Sequence, residues 1–312
     1  MKDLRIAVVG IGATGTVLSA ALLKRNPETF LIDSMPGLGE VLKRNGIRVS
    51  GALSYEMPVR HFASKIEDIK GFNPQVVFIS TKTVHLDQVI MTLNDVVESD
   101  TKFISTHNGL GPEDFIAERF GQDAVFRMSL NFGAALKGPG EVDVAFFTKP
   151  NHLGALSRKN MELGLRIADL LTNAGLDTES VDDIKLHVWK KMIRKCTMAS
   201  ICAVTDRTIK DVMDFPPTRE IAVACFKEAL AVAKAMGYDL GEDYLQKHAL
   251  DYLDHVGAHK DSMCYDIANK APTEIDFLGG KIVEYGQKKG VPTPFYVTMT
   301  NLVKAMEDSY LN

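Results

Sequence analysis

A glycine-rich turn follows directly on the first apolar segment of the chain. Residues 4–9 are mostly aliphatic, and residues 10–15 read Gly-Ile-Gly-Ala-Thr-Gly. This order predicts a strand that turns into a helix: Gly10 permits the tight turn, Gly12 lets the backbone approach phosphates, and Gly15 lets the helix pack on the strand. The helix N–H groups and the positive end of the helix dipole would favour an anion. The sequence therefore predicts a dinucleotide-binding turn here.

A second short apolar run ends on an acid. Residues 29–33 read Thr-Phe-Leu-Ile-Asp, which places Asp33 where a Rossmann unit carries its ribose-binding carboxylate. A carboxylate accepts hydrogen bonds from the adenosine ribose hydroxyls and repels a 2′-phosphate, so NAD(H) is favoured, although NADP(H) is not excluded. The alternative is that Asp33 only makes a turn or caps a helix. Arg44 is the nearby cation that could change this assignment.

Length and composition narrow the class of protein. A chain of 312 residues suggests about two domains. The net charge of −4 argues against binding to nucleic acid or to an anionic membrane, and small molecules are the expected partners. The four cysteines form no Cys-x-x-Cys pair, so neither a metal site nor a redox dithiol is expected. The N-terminus is polar and shows no signal peptide, so a soluble, cytoplasmic protein is expected.

Two further strand ends carry polar residues. The apolar run 76–80 is followed by Lys82, and the run 102–106 is followed by His107 and Asn108. Open α/β sheets bind ligands at the carboxyl ends of their strands, so Lys82 is a candidate cofactor contact, unless it is merely solvated. Asn108 can both donate and accept there. His107 could act as a general acid, but a hydrogen-bonded bystander is the preferred interpretation.

The remaining pattern divides the chain. Segments 125–132, 141–147 and 152–156 are predicted to be strands that complete the sheet, with a turn at 138–140 and a helix over 161–174 that stops at Gly175. From about residue 181 the pattern is helical, with helices expected at 184–204, 217–236, 244–255, 273–289 and 295–308. The predicted fold is α/β, with a dinucleotide-binding Rossmann domain over 1–180 and an all-helical domain over 181–312.

Two helical segments carry candidate catalytic groups. Lys191 and Lys195 lie four residues apart and form one stripe of the predicted helix, but a solvated basic face would give the same pattern. In the second segment, Thr273 and Asp276 resemble a capping box, which would put Glu274 in the first helical turn. A simple first-turn acid is the alternative for Glu274.

Taken together, these motifs resemble the ketopantoate reductase family over the whole chain. The matching features are the glycine turn, Lys82, the His-Asn-Gly sequence at 107–109, Trp-x-Lys at 189–191, Ser-Met-x-x-Asp-Ile from Ser262 and Thr-Glu-Ile-Asp at 273–276. The resemblance implies the following roles: Lys191 donates the proton; Asn108 contacts cofactor and substrate; Lys82 and Ala135 line the nicotinamide nucleotide; Gly10, Gly12, Ala13, Thr14, Gly15 and Asp33 bind the cofactor; Ser262 holds the substrate carboxylate; and Glu274 orders the catalytic end of the site.

The resemblance also implies the reaction. Hydride would pass between a nicotinamide cofactor and the C2 carbonyl of a 2-oxo acid, in a cleft between the two domains, to give a 2-hydroxy acid. The alternatives are an NAD-dependent D-2-hydroxyacid dehydrogenase that acts on another 2-oxo acid, and a catalytically silent dinucleotide sensor. A homodimer is allowed.

Two positions depart from the family pattern. Lys195 and Ala199 stand where ketopantoate reductases usually carry Asn, and Asp33-Ser34 replaces the Gly-Arg of NADP-using members. If Lys195 enters the site, its charge would disfavour protonation of Lys191 and would bind a second anionic or strongly polar group on the substrate, so ketopantoate would be a poor substrate. If it turns to solvent instead, a hydroxyl from Thr197, Ser200 or Thr205 would contact the substrate.

Overall fold

The computed structural model describes residues 4–241, 243–255 and 257–311. Residues 1–3, on which the expected absence of a signal peptide partly depends, lie outside these ranges. The chain forms two compact units. The first runs to residue 185 without 108–111, and the second comprises 108–111 and 186–312. The short loop 108–111 belongs to the helical unit because, for example, the Leu110 amide donates to the Phe277 carbonyl at 2.8 Å.

The first unit is built on a mostly parallel sheet. Its strands in chain order are β1 (Ile6–Val9), β2 (Phe30–Ile32), β3 (Ile47–Gly51), β4 (Tyr55–Met57), β5 (His61–Ala63), β6 (Val76–Ile79), β7 (Lys102–Ser105), β8 (Val125–Ser129), β9 (Phe132–Gly138), β10 (Glu141–Phe147), β11 (Asn151–Ala155) and β12 (Thr178–Ser180). The main sheet has the order β12-β11-β8-β7-β6-β1-β2-β5, with only β11 antiparallel to β8 among its pairs in the described chain. The predicted Rossmann-type arrangement is confirmed. From β1 the sheet is extended on one side by β2 and β5, and the chain then crosses to the other side of β1 to form β6, so the order of the strands changes direction between β1 and β6.

The segment 132–147 does not extend this sheet, contrary to the sequence prediction. β9 and β10 form a hairpin around the predicted turn at 138–140, and β10 pairs in parallel with β3. With β4 these strands make a second sheet of order β4-β3-β10-β9. Alternating apolar residues show that a segment is a strand but do not show which distant strand it pairs with, so the pattern alone placed this hairpin in the wrong sheet.

Five helices accompany the sheets of the first unit in the described chain: α1 (Ala13–Arg25), α2 (Leu38–Asn45), α3 (Leu86–Val96), α4 (Pro112–Phe120) and α5 (Met161–Ala174). Residues 15–23 of α1 are buried on every face, because α1 contacts β1 as well as strands of the second sheet. α5 ends at Gly175, the stop that the sequence predicted, and the φ of +98° at this residue gives a left-handed cap. α1 also contacts α5, so the helix that follows the glycine turn is packed on several sides.

The second unit is helical, as predicted. Its elements are α6 (Ile184–Thr205), α7 (Ile209–Asp214), α8 (Pro216–Ala235), a π-helical segment (Tyr244–Leu250), α9 (Asp251–Asp254), α10 (Ser262–Ala268), α11 (Gly279–Lys289) and α12 (Pro294–Leu311). The predicted helix over 273–289 is wrong in its first part. A 3₁₀ turn (Ile275–Phe277) precedes α11, so Gly279 and Gly280 begin a helix instead of interrupting one. A Cβ at Gly279 would lie 2.8 Å from Thr300 Oγ1 of α12, which explains why glycine is required.

Candidate active site

The glycine turn has the geometry that phosphate binding needs. Gly10 has a φ of +92°, and a Cβ there would lie 2.7 Å from the backbone nitrogen of Thr81. At Gly15 a Cβ would lie 1.8 Å from the Gly10 carbonyl oxygen, so the helix can start this close to the strand only with glycine. At Gly12, by contrast, a Cβ would meet no atom within 4 Å. Gly12 caps α1 without a side chain and leaves open space at the helix N-terminus, which fits a pyrophosphate. Ala13 and Thr14 follow it in the first turn of α1.

Asp33 fixes the turn from the end of β2. Its Oδ2 accepts a hydrogen bond from the Ile11 amide at 2.6 Å, and its Oδ1 accepts one from the Met35 amide at 2.8 Å. Asp33 therefore does stabilise local turns, which was the alternative role that the sequence allowed for this residue. Each carboxylate oxygen has a second lone pair, so these two bonds leave acceptor capacity for ribose hydroxyls. Arg44 lies in the last turn of α2, whereas the acidic Glu40 lies in its first turn.

Lys82 and Ala135 lie in different parts of the first unit. Lys82 is exposed and caps the 3₁₀ turn Thr83–His85 that follows β6. Its neighbour Thr81 packs against Gly10, so Lys82 is one residue away from the segment that contacts the glycine turn. Ala135 is exposed on β9, opposite Asp143, in the second sheet.

His107 is buried in a polar cluster of the first unit. Its Nδ1 lies 3.0 Å from Ser105 Oγ, which accepts a 2.9 Å hydrogen bond from Arg127 Nη1. Arg127 Nη1 also lies 3.5 Å from Glu113 Oε2, and both of these side chains are almost fully buried. Burial, together with the nearby Arg127 charge, lowers the pKa of His107 to about 3. A neutral imidazole is no proton donor at ordinary pH, so the interpretation of His107 as a bystander is supported.

Lys191 meets Asn108 within the helical unit. The Lys191 Nζ donates a 3.0 Å hydrogen bond to Asn108 Oδ1, and both residues are partly exposed. Trp189, two residues earlier on α6, is buried with its ring near those of Tyr238 and Tyr285. Trp189 therefore anchors the inner face of α6. The loop 108–111 therefore supplies a hydrogen-bond partner for the Lys191 ammonium.

Lys195, one turn further along α6, does not turn to solvent but forms an ion pair within the helical unit. Its Nζ lies 2.8 and 2.7 Å from the two carboxylate oxygens of Asp261 and 2.8 Å from Ser262 Oγ. The Lys195 side chain is 17% exposed and that of Asp261 is 7% exposed. Burial alone would lower the pKa of Lys195, but the charge and hydrogen bonds of Asp261 outweigh this and raise it, with a smaller contribution from Glu274. Lys195 thus carries its positive charge, and the carboxylate of Asp261 balances that charge within a buried ion pair.

The hydroxyls that the sequence offered as substitutes are turned back onto α6. Thr197 Oγ1 donates to the Ile193 carbonyl and also contacts Tyr296 OH, Ser200 Oγ donates to the Cys196 carbonyl, and Thr205 Oγ1 donates to the Ile201 carbonyl. These side chains satisfy the helix backbone. Asp261 is the polar residue that sequence reasoning missed, although an acid before Ser262 at a helix N-cap was a usable signal.

Contrary to the prediction, Glu274 does not lie in the first turn of an α-helix. It caps the 3₁₀ turn before α11, and its carbonyl accepts from the amides of Phe277 and Leu278. Its partly buried carboxylate is near enough to Lys195 to help raise the pKa of that ammonium. Asn108, Lys191, Lys195, Ser262 and Glu274 all belong to the helical unit, whereas the glycine turn, Asp33, Lys82 and Ala135 belong to the first unit.

Two features of the described residues bear on other classes of function. Among residues 4–241, 243–255 and 257–311, no group of three or more His, Cys, Asp or Glu side chains is placed to hold a metal ion. No helix in these ranges is long and apolar enough to cross a membrane.

Comparison with known proteins supplies the context for this arrangement. Residues 6–158 match the family model described as ketopantoate reductase PanE/ApbA, and residues 183–307 match the model of its C-terminal part. A 2-dehydropantoate 2-reductase of Streptococcus pyogenes serotype M3 is 27% identical over 97% of each chain. A solved ternary complex of D-mandelate dehydrogenase with NADH and anilino(oxo)acetate is 26% identical, with a TM-score of 0.88 over 99% of this chain and 100% of the other. A 2-dehydropantoate 2-reductase from Geobacter metallireducens, at 23% identity, shares the fold with a TM-score of 0.87 over 97% of this chain and 99% of that one.

Proposed function

We propose, from the premise that this chain belongs to the ketopantoate reductase family, that Lys191 donates the proton which completes reduction of a 2-oxo acid. Family membership makes the protein an NAD(P)-dependent oxidoreductase that acts on the C2 carbonyl of a 2-oxo acid to give a 2-hydroxy acid. The observation that carries the role of Lys191 is its hydrogen bond to Asn108 Oδ1, which orients an ammonium on a partly exposed helix face.

The nicotinamide, when bound, supplies the hydride that reduces the carbonyl carbon. The residues of the chain then manage the charge that develops on the carbonyl oxygen. The Lys191 ammonium donates a proton to this oxygen, which is worth about 10²–10⁴ in rate for a well-positioned acid. Asn108 accepts from Lys191 through Oδ1, so the amide NH₂ of Asn108 stays available to donate to substrate or cofactor.

For the substrate, we assign the carboxylate to Ser262 and a supporting role to Glu274. Ser262 is exposed, and its Oγ accepts a hydrogen bond from the Lys195 ammonium, so the hydroxyl hydrogen can be donated to a carboxylate. Glu274 adds a negative charge close enough to influence Lys195, which supports an ordering role at this end of the site.

For the cofactor, we propose NAD(H) over NADP(H). Three features support this: the Asp33 carboxylate at the end of β2, the acidic Glu40 in the first turn of α2, and the position of Arg44 in the last turn. A carboxylate beside the ribose accepts from its hydroxyls and repels a 2′-phosphate. The phosphates are assigned to the glycine turn, through Gly10, Gly12, Ala13, Thr14 and Gly15. We also propose that the nicotinamide nucleotide is contacted by Lys82, Ala135, Asn108 and Glu274.

An NAD-dependent D-2-hydroxyacid dehydrogenase with another substrate is the second candidate. The observation that favours it is the Lys195–Asp261 pair, which stands where the resemblance leads us to expect an amide from Asn. Cytoplasmic residence and a homodimer complete the proposal. Free, buried thiols at all four cysteines support a reducing compartment.

The deciding experiment tests a panel of 2-oxo acids with NADH and with NADPH. The reaction is monitored as the decrease in absorbance of the reduced nicotinamide. We expect turnover with NADH, and the most efficient substrate separates the two candidates. NADH binding without turnover of any 2-oxo acid would contradict the proposal and would favour a dinucleotide sensor. Light scattering of the same preparation reports the oligomeric state.

A further inference from the structure

Asp261 compensates the charge of the Lys195 ammonium at close range. An ammonium has three N–H groups, and three oxygens lie within 2.8 Å of Lys195 Nζ: both oxygens of Asp261 and Oγ of Ser262. The pair is also largely buried, with exposures of 17% and 7% for the two side chains. Lys195 therefore presents no uncompensated charge to a molecule that binds beside it.

We propose that Asp261 is a specificity-determining residue, which neutralises Lys195 so that the site accepts 2-oxo acids with an uncharged distal group and disfavours dicarboxylic 2-oxo acids. This inference rests on the proposed reduction of 2-oxo acids. It reverses the sequence expectation that Lys195 binds a second anionic group, because that expectation treated the ammonium as free.

The same contacts orient Ser262. Lysine can only donate, so Ser262 Oγ accepts from Lys195 and keeps its own hydrogen for another acceptor. The nearest acceptor on Asp261 is Oδ1 at 3.4 Å, which is too long for a good O–H···O bond. A substrate carboxylate would be the better acceptor. Asp261 and Lys195 are therefore positioning residues for Ser262, and Asp261 is fixed in turn by the Met263 amide at 3.0 Å.

Removing one charge of a buried pair leaves the other uncompensated, and this gives the proposal its test. In Asp261→Asn the shape is kept, but the Lys195 ammonium loses its counter-ion. An incoming distal carboxylate could then replace the missing charge. We expect the variant to gain preference for a dicarboxylic substrate that the parent lacks.

The measurement is kcat/KM with NADH for 2-oxoglutarate and for 2-oxopentanoate, which have equally long carbon chains. The parent should favour 2-oxopentanoate, and Asp261→Asn should raise the 2-oxoglutarate to 2-oxopentanoate ratio at least tenfold. The matched control is Asp114→Asn, which removes the carboxylate of a 2.6 Å ion pair with Lys185 in the first unit and should leave the ratio unchanged.

The double variant Lys195→Asn/Asp261→Asn keeps the site neutral and contains no lone buried charge. It should return the ratio to within about threefold of the parent, and it tests the proposal even if Asp261→Asn does not fold. A parent that prefers 2-oxoglutarate, an unchanged ratio in folded Asp261→Asn, or a tenfold lower ratio in the double variant would each overturn the inference. A parent that binds NADH but reduces no 2-oxo acid would overturn the proposed function itself.

Discussion

The side-chain oxygen of Asn108 accepts a 3.0 Å hydrogen bond from Lys191 Nζ across 83 positions of sequence. This contact fixes the orientation of both groups. An ammonium can only donate, so the amide oxygen of Asn108 faces Lys191 and this bond does not use the amide NH₂. A single loop residue thus holds the proposed proton donor and offers a donor of its own.

Lys191→Ala should depress turnover and leave NADH affinity within a few-fold of the parent. The reason is that a general acid acts mainly on the transition state, so its removal lowers kcat by about 10²–10⁴. Steady-state kinetics and titration of NADH fluorescence measure the two quantities. Lys190→Ala is the matched control, because this neighbouring side chain is exposed on the same helix. Equal kcat values for the two variants would show that Lys191 is not the proton donor and would favour its interpretation as part of a solvated basic face.

Gly12→Ala and Gly15→Ala should separate ligand binding from folding. A Cβ at position 12 meets nothing within 4 Å, so this variant should keep the parental melting temperature but bind NADH at least tenfold more weakly. A Cβ at position 15 would lie 1.8 Å from a backbone oxygen, and such overpacking costs about 1–3 kcal/mol or more. Thermal melts with and without NADH distinguish the two. Parental NADH affinity in Gly12→Ala would show that the phosphates bind elsewhere.

Asp33→Asn should shift the cofactor preference. The substitution keeps one acceptor for the Ile11 amide but removes the charge that would repel a 2′-phosphate. We expect the affinity for NADPH relative to NADH to rise at least tenfold, measured as dissociation constants. Arg44→Ala should leave the ratio within about twofold, because Arg44 lies in the last turn of α2. Tighter NADPH than NADH binding by the parent would contradict the assignment of NAD(H).

The parts of the site that the sequence predicted are those decided by local backbone geometry. The glycine turn, the strand before it and the cap at Gly175 all follow from which φ values glycine permits within a few residues. Burial beside Arg127 lowers the pKa of His107, which supports its interpretation as a bystander.

The parts that it missed depend on partners far along the chain. Helical periodicity places Lys195 on a face of α6 but says nothing of Asp261, which lies 66 positions away. Similarly, β10 pairs with β3 across about ninety positions, and only the folded chain shows that pairing. A charge pattern therefore predicts a cation's position and leaves its counter-ion undetermined.

The buried His107 should make the first unit sensitive to acid. Its pKa is lowered to about 3 in the fold, by burial and by the Arg127 charge, from an ordinary value of 6.5. Between these two values the unfolded chain binds a proton that the folded chain does not, so stability falls as the pH drops below 6.5. From pH 7 to pH 5 the cost is about 2 kcal/mol of unfolding free energy. In His107→Asn the side chain does not titrate, and its oxygen can accept from Ser105 in place of Nδ1. Urea denaturation at both pH values should show that the parent loses about 2 kcal/mol more than this variant. Equal losses would mean that His107 is protonated in the fold and that its surroundings accommodate the charge.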